Sequence, residues 1–173
     1  MPDYFLGVDV GGTKSHALVA DREGRALGLG RSGPGNPDHV GHDALTDVLS
    51  LAVTEALDAA GVSASSIVGA GFGIGGYDWP SQREAMLAAI GTLDLEAPVG
   101  LVNDALLGLL AGAEAGWGVA VVAGTSCNAW GRDREGHTGR MTGFSWLDEA
   151  AGGRELVEKA LQAVARQWTR RGP

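Results

Sequence analysis

Three short stretches of this 173-residue chain set reactive side chains beside glycines. The first is Asp9-Val10-Gly11-Gly12-Thr13-Lys14. Glycine lets a backbone turn approach a ligand closely, and the N–H groups of such a turn can point at phosphate oxygens. Thr13 adds a hydroxyl donor and Lys14 a cation. Asp9 is suited to hold Mg²⁺ through water, because that ion keeps most of its own hydration shell. The stretch is not a Walker loop, which needs Gly-Lys-Ser/Thr entering a helix. The same residues also suit a glycine hairpin with no ligand. The second stretch is Val102-Asn103-Asp104-Ala105, at the end of an apolar run where ligands collect in α/β sheets. Asp104 there either accepts a proton from an attacking hydroxyl or, with Asn103, caps the next helix. The third, Gly124-Thr125-Ser126, repeats the glycine–threonine device of the first. It reads either as an ordinary turn or as a second phosphate turn.

The elements that must hold these residues follow from periodicity. Residues 4–10 form an apolar run that reads as a buried strand ending at the first glycine turn. Residues 15–21 alternate polar and apolar, and residues 25–31 follow an Asp21-Arg22-Glu23-Gly24 turn, which predicts a meander of two hairpins. A helix is predicted over 38–60, with Val40, Leu45, Val48, Leu49, Ala52, Val53 and Ala56 on one face and Gly61 as its stop. Residues 67–74 and 98–102 read as strands. Ser81 is the predicted cap of a helix to about 90, and Asn103-Asp104 opens one ending near Gly116. The strand–turn–strand–turn–strand–helix pattern then recurs: strands at 119–123, 126–132 and 138–144, and a helix whose apolar face holds Leu156, Val157, Ala160, Leu161, Val164 and Trp168. The order β-β-β-α-β-α-β-α predicts an α/β mixed five-stranded sheet, followed by an incomplete second copy.

Composition narrows the function classes. The chain carries 29 Gly, against an average usage of about 7%. They lack a collagen period and sit among Val, Leu, Ile and Ala, so turns and close approaches must account for them. The formal net charge of −8, with its 13 Lys and Arg scattered, argues against nucleic-acid or anionic-membrane binding. One cysteine, Cys127, excludes an internal disulfide and a multi-cysteine metal site within this chain. His16, His39, His42 and His137 show no metal-ligand spacing, and His39 and His42 are expected on a solvated surface. No apolar run reaches membrane-spanning length, and no signal peptide is legible in MPDYFLGVDVGG. A cytoplasmic setting is expected.

The ordered set of motifs resembles a known superfamily, that of the sugar kinases, heat-shock ATPases and actin. Within it the chain is most similar to the N-acetylglucosamine kinases of the BadF/BadG/BcrA/BcrD ATPase family. The carrying segments are residues 7–14, Gly33-x-x-Asn36-Pro37, Gly73-Ile74-Gly75-Gly76, Asn103-Asp104-Ala105, Ala123-Gly124-Thr125-Ser126 and Trp146-Leu147-Asp148-Glu149. The resemblance implies a ribonuclease H-like fold, with a first domain over 1–116 and the start of a second over 117–173. It implies ATP and Mg²⁺ as cofactors and phosphoryl transfer to the 6-hydroxyl of N-acetylglucosamine or a related hexosamine. Gly11, Gly12, Thr13 and Lys14 would form the first phosphate loop, Gly124 and Thr125 the second, and Asp9 would bind Mg²⁺ through water. Asp104 would be the base. Asn36, Gly75, Gly76, Asn103, Trp146 and Asp148 would line the sugar pocket.

The family's usual Gly-Asp-Glu-Gly-Ser stretch reads Leu147-Asp148-Glu149-Ala150-Ala151-Gly152-Gly153 here. Its adenosine-binding segment falls beyond Pro173, so the 173-residue chain alone is expected to phosphorylate sugar poorly or not at all. Two other readings stay open: the related activator ATPases of 2-hydroxyacyl-CoA dehydratases, and a non-catalytic sugar-binding half-domain. A ROK-family kinase fits less well, because Glu135-Gly136-His137 lacks that family's sugar-motif spacing. Trp79 either stacks on a sugar face or packs its loop, and Trp117, Trp130 and Trp168 are expected in the core or between domains. Open strand edges in an incomplete second sheet leave homodimerisation open.

Overall fold

The structure, a computed structural model, describes residues 3–124, 127–142 and 152–172. Five strands form one mixed sheet: β1 (Tyr4–Val10), β2 (Ser15–Asp21), β3 (Ala26–Ser32), β4 (Ile67–Ile74) and β5 (Val99–Val102), in the order β3-β2-β1-β4-β5. β1–β2 and β2–β3 pair antiparallel, whereas β1–β4 and β4–β5 pair parallel. The chain therefore leaves the meander after β3 and must cross over to re-enter beside β1, as parallel pairing requires. This is the ribonuclease H-like sheet that the motif order implies. By compactness the chain divides into two units, Met1–Leu107 and Gly108–Pro173.

The crossover is helical. α1 (Pro37–Val40) and α2 (His42–Ala60) replace the single helix expected from residue 38. Gly41 separates them with φ 84° and ψ 164°, a conformation essentially reserved for glycine. α2 lays Leu45, Leu49, Ala52, Val53 and Ala56 against the sheet, where Leu6, Val8, Val10, Ala17 and Val19 face it. Gly28 and Gly30 of β3 make that approach possible. A Cβ on Gly30 would collide with the backbone of Ala52 and Ala56, and one on Gly28 with Ala56 and Ala60. α2 ends as the sequence predicts, with Gly61 left-handed at φ 65°.

After β4 the chain forms a 3₁₀ turn over Pro80–Gln82 and then α3 (Arg83–Gly91), which adds Met86, Ala89 and Ile90 to the core. Gln82, not Ser81, organises this start. Its Oε1 accepts from the amides of Asp78 (2.7 Å) and Trp79 (2.8 Å). α4 (Asp104–Gly112) follows β5 directly and ends earlier than the sequence suggests.

In the second unit, β6 (Gly118–Ala123), β7 (Cys127–Arg132) and β8 (Thr138–Thr142) form an antiparallel meander in the order β6-β7-β8. It repeats the connectivity of β1–β3, and α5 (Gly153–Trp168) follows. Trp168 is 88% exposed and Trp117 42%, so neither is core. Trp117 instead lies under the Arg134 guanidinium, 4.5 Å from the ring centre. No helix among the described residues is long and apolar enough to cross a membrane.

Candidate active site

Three backbone segments meet at the C-terminal end of β1. The Gly11 amide donates to the Lys14 carbonyl (3.0 Å), closing the β1–β2 turn. The Gly35 amide donates to the Gly11 carbonyl (3.0 Å), and the Gly75 amide to the Val10 carbonyl (2.8 Å). The loop before α1 and the turn after β4 are thus pinned to the same point. β1, β4 and β5 run parallel and end here together, the edge at which open α/β sheets hold ligands.

The first turn is open. Gly11 uses its amide within the turn, but among the described residues nothing accepts from the amides of Gly12 or Thr13. Gly12, Thr13 and Lys14 are exposed. His39 of α1 lies against this turn, its Nδ1 3.6 Å from where a Gly12 Cβ would sit. The imidazole is solvent-exposed as expected, but its place beside the turn is not legible in local spacing.

Asp9 stands one residue before the strand end, on the sheet face opposite α2 because it alternates with Val8 and Val10. Its cross-strand partners are His16 and Gly73. Burial pushes its carboxyl above the ordinary range, and the charges of His16 and Lys14 act against this.

Asp104 begins α4. Its Oδ2 would lie 3.1 Å from a Cβ on Gly75. Burial is again the chief cause that raises its carboxyl. The Ala105 amide opposes the shift, and the charges of Asp9 and Asp78 reinforce it. The charges of two other carboxylates therefore bear on Asp104 at this edge.

Asn36 caps α1, its Oδ1 accepting from the Asp38 amide at 2.9 Å. The same oxygen lies over Gly76, where a Cβ would collide with it, and Gly76 holds φ 85°. Asp38 also borders that glycine. Asn103 is buried at 2% exposure. Its Oδ1 accepts from the Ala105 amide (3.0 Å), while its Nδ2 donates to the Tyr77 carbonyl (3.1 Å) and to Asp78 Oδ1 (3.2 Å). The structure thus brings Asp9, Gly11, Gly12, Thr13, Lys14, Asn36, Gly75, Gly76, Asn103 and Asp104 to one end of one sheet. Asp38, His39 and Asp78, absent from the sequence-based set, join them.

Gly124 follows β6 in the second unit, where its carbonyl accepts from the Gly153 amide (2.8 Å). Thr125, Trp146 and Asp148 lie outside the described residues.

Residues 6–171 match the sequence profile of the BadF/BadG/BcrA/BcrD ATPase family. The chain is 28% identical over 171 residues to the N-acetylmuramic acid/N-acetylglucosamine kinase of Clostridium acetobutylicum, spanning 98% of this chain and 56% of that protein. It is 25% identical over 186 residues to the N-acetyl-D-glucosamine kinase of Dictyostelium discoideum, spanning 99% and 57%. Its fold superposes on a Chromobacterium violaceum protein proposed to be an N-acetylglucosamine kinase, with a TM-score of 0.70 and 21% identity over 94% of this chain and 57% of that one. The chain spans a little over half the length of the curated relatives it matches.

Proposed function

The chain belongs to the BadF/BadG/BcrA/BcrD ATPase family, and on that premise we propose that it supplies the sugar-binding and first phosphate-binding parts of a kinase. The kinase transfers a phosphoryl group from ATP to the 6-hydroxyl of an amino sugar, N-acetylglucosamine or a close relative. The observation that best supports this is the Asp104 carboxylate facing the Gly75–Gly76 turn, two strands away from the open turn beside Asp9.

In this reading the sugar rests on Gly75 and Gly76, and Asn36 hydrogen-bonds its hydroxyls. Asn36 Oδ1 already serves α1, so its Nδ2 makes the contact and donates to a sugar oxygen. Asp104 accepts the proton of the attacking hydroxyl, and its raised carboxyl keeps it a better base than an ordinary aspartate. The free amides of Gly12 and Thr13, with Lys14, hold phosphate oxygens, so acidic composition is no obstacle. Asp9 has the chemistry to hold Mg²⁺ through water: a solvent-accessible hard-oxygen donor beside the first glycine turn. When bound, that ion neutralises charge on the phosphate oxygens. By the family resemblance, Gly124 and Thr125 would take the part of a second phosphate turn, and Trp146 and Asp148 that of sugar contacts. Residues 1–116 make up the first domain and residues 117–173 begin the second. Catalysis is then positioning and charge neutralisation around an in-line displacement.

A coupled ATP-consumption assay with N-acetylglucosamine on the full-length protein tests the reading. Turnover is expected, and Asp104→Asn should lower it by about 10²–10⁴-fold while sugar binding persists. Turnover retained by Asp104→Asn would leave Asp104 a helix cap and no more.

A further inference from the structure

The Asn103 carboxamide is committed inside the protein. Its oxygen takes the Ala105 amide, and its nitrogen serves two acceptors on the far side of the site, the Tyr77 carbonyl and Asp78 Oδ1. An amide nitrogen has two hydrogens, and both are engaged. At 2% exposure the group has no face left for a substrate. We propose that Asn103 is a positioning residue that fastens the Gly75–Asp78 turn to the first residues of α4, and so sets where Asp104 stands relative to the Gly75–Gly76 rim. The inference rests on reading that rim as the sugar site, and it gives Asn103 a different task from the substrate contact its motif implies.

The geometry explains why the residue is asparagine. The turn after β4 carries Gly75 and Gly76, and its next two residues, Tyr77 and Asp78, receive the Asn103 hydrogens. The helix start carries Asp104, and its next residue, Ala105, feeds the Asn103 oxygen. One side chain therefore bonds the neighbours of both halves of the rim, across 25 and 26 residues of sequence. Aspartate here would have no hydrogens for Tyr77 and would set a carboxylate against Asp78. Leucine would leave the Tyr77 carbonyl without the Asn103 hydrogen and the Ala105 amide with Asp104 Oδ1 alone. Exchanging the side chains of Asn103 and Asp78, in contrast, reverses one bond and keeps it. The carboxamide would then donate from the turn after β4 to a carboxylate at the start of α4.

The test uses amide NMR on the whole chain, unaltered, as Asn103→Asp, and as Asn103→Asp combined with Asp78→Asn. In the unaltered protein the Asn103 side-chain hydrogens should exchange slowly, and their resonances should stay put at saturating N-acetylglucosamine. Asn103→Asp should shift the Gly75, Gly76 and Tyr77 amides and weaken sugar affinity about tenfold or more, as displaced positioning groups do. The double variant should recover most of both effects, which a sugar-contacting role for the Asn103 carboxamide would not produce. Unmoved Gly75 and Gly76 amides in Asn103→Asp, or Asn103 side-chain resonances that follow the sugar, would overturn the positioning role. No sugar binding by the unaltered chain, with the Gly75 and Gly76 shifts present, would instead overturn the sugar reading of the rim.

Discussion

At the scale of single residues, the carboxylates of Asp9 and Asp104 are held where ionisation is costly. Both are raised chiefly by burial. A carboxyl that binds its proton more tightly in the folded chain than in the unfolded one favours folding while it is protonated. That contribution is present below the ordinary carboxylate value of about 4 and is lost as pH rises through the raised value. At neutral pH, Asp104 therefore works against stability. Asp104→Asn should raise the unfolding midpoint at pH 7, and the gain should shrink as pH falls towards about 4. Thermal melts of both proteins across that range would show it, and a variant less stable at pH 7 would contradict it. The asparagine can still accept from Ala105, so the cap is kept and only the charge is removed. A residue that lowers stability and stands against a glycine rim is one that function keeps.

At the scale of elements, β3 and α2 are fitted by what is missing. Gly30→Ala should cost about 1–3 kcal/mol in urea denaturation, because its Cβ meets the backbone of α2 and no side chain can swing away. Gly71→Ala, where nothing lies within 4 Å, should be near neutral in the same experiment. Leu49→Ala, on the face of α2 that lies on this sheet, should cost about 2–5 kcal/mol. The sheet and α2 were legible because period-2 and period-3.6 patterns report which face is buried. Val8 and Val10 announce β1, and Leu45, Leu49 and Ala52 announce α2. The break at Gly41 was not legible, since a glycine in a helical pattern does not declare its φ. Gln82 displaced Ser81 as the organiser of α3 because its longer side chain reaches two amides at once. Within the site, Asp9, Gly11–Lys14, Asn36, Gly75, Gly76 and Asp104 could be assembled from motif order. The Asn103–Tyr77 bond and the approach of His39 to Gly12 could not, because each joins residues more than 20 apart that carry no shared pattern.

At the scale of the whole molecule, the two units differ in how much they bury. The core of the first unit includes Leu6, Val10, Leu45, Leu49, Phe72 and Ile74 at 2% exposure or less. In the second, Val119, Val121 and Met141 of the meander and Leu156, Leu161 and Val164 of α5 are all more than 60% exposed. Local opening is easiest where few apolar contacts must be broken, so amides of β1 and β4 should outlast those of β6 and β7 in hydrogen exchange. Equal protection would show that the second unit is held by more than its own packing. The pinning of three segments to the end of β1 also orders events in time. The β1–β2 turn needs only a local hairpin, which closes in about 1–10 μs. The Gly75 amide reaches the Val10 carbonyl only after the chain has wound through α2 and laid β4 beside β1, and Asp104 arrives with β5 later still. Long-range parallel pairing is the slow part of such folding. On the proposed reading, a newly made chain therefore closes its donor-side turn well before the acceptor-side rim of Gly75 and Gly76 stands beside it.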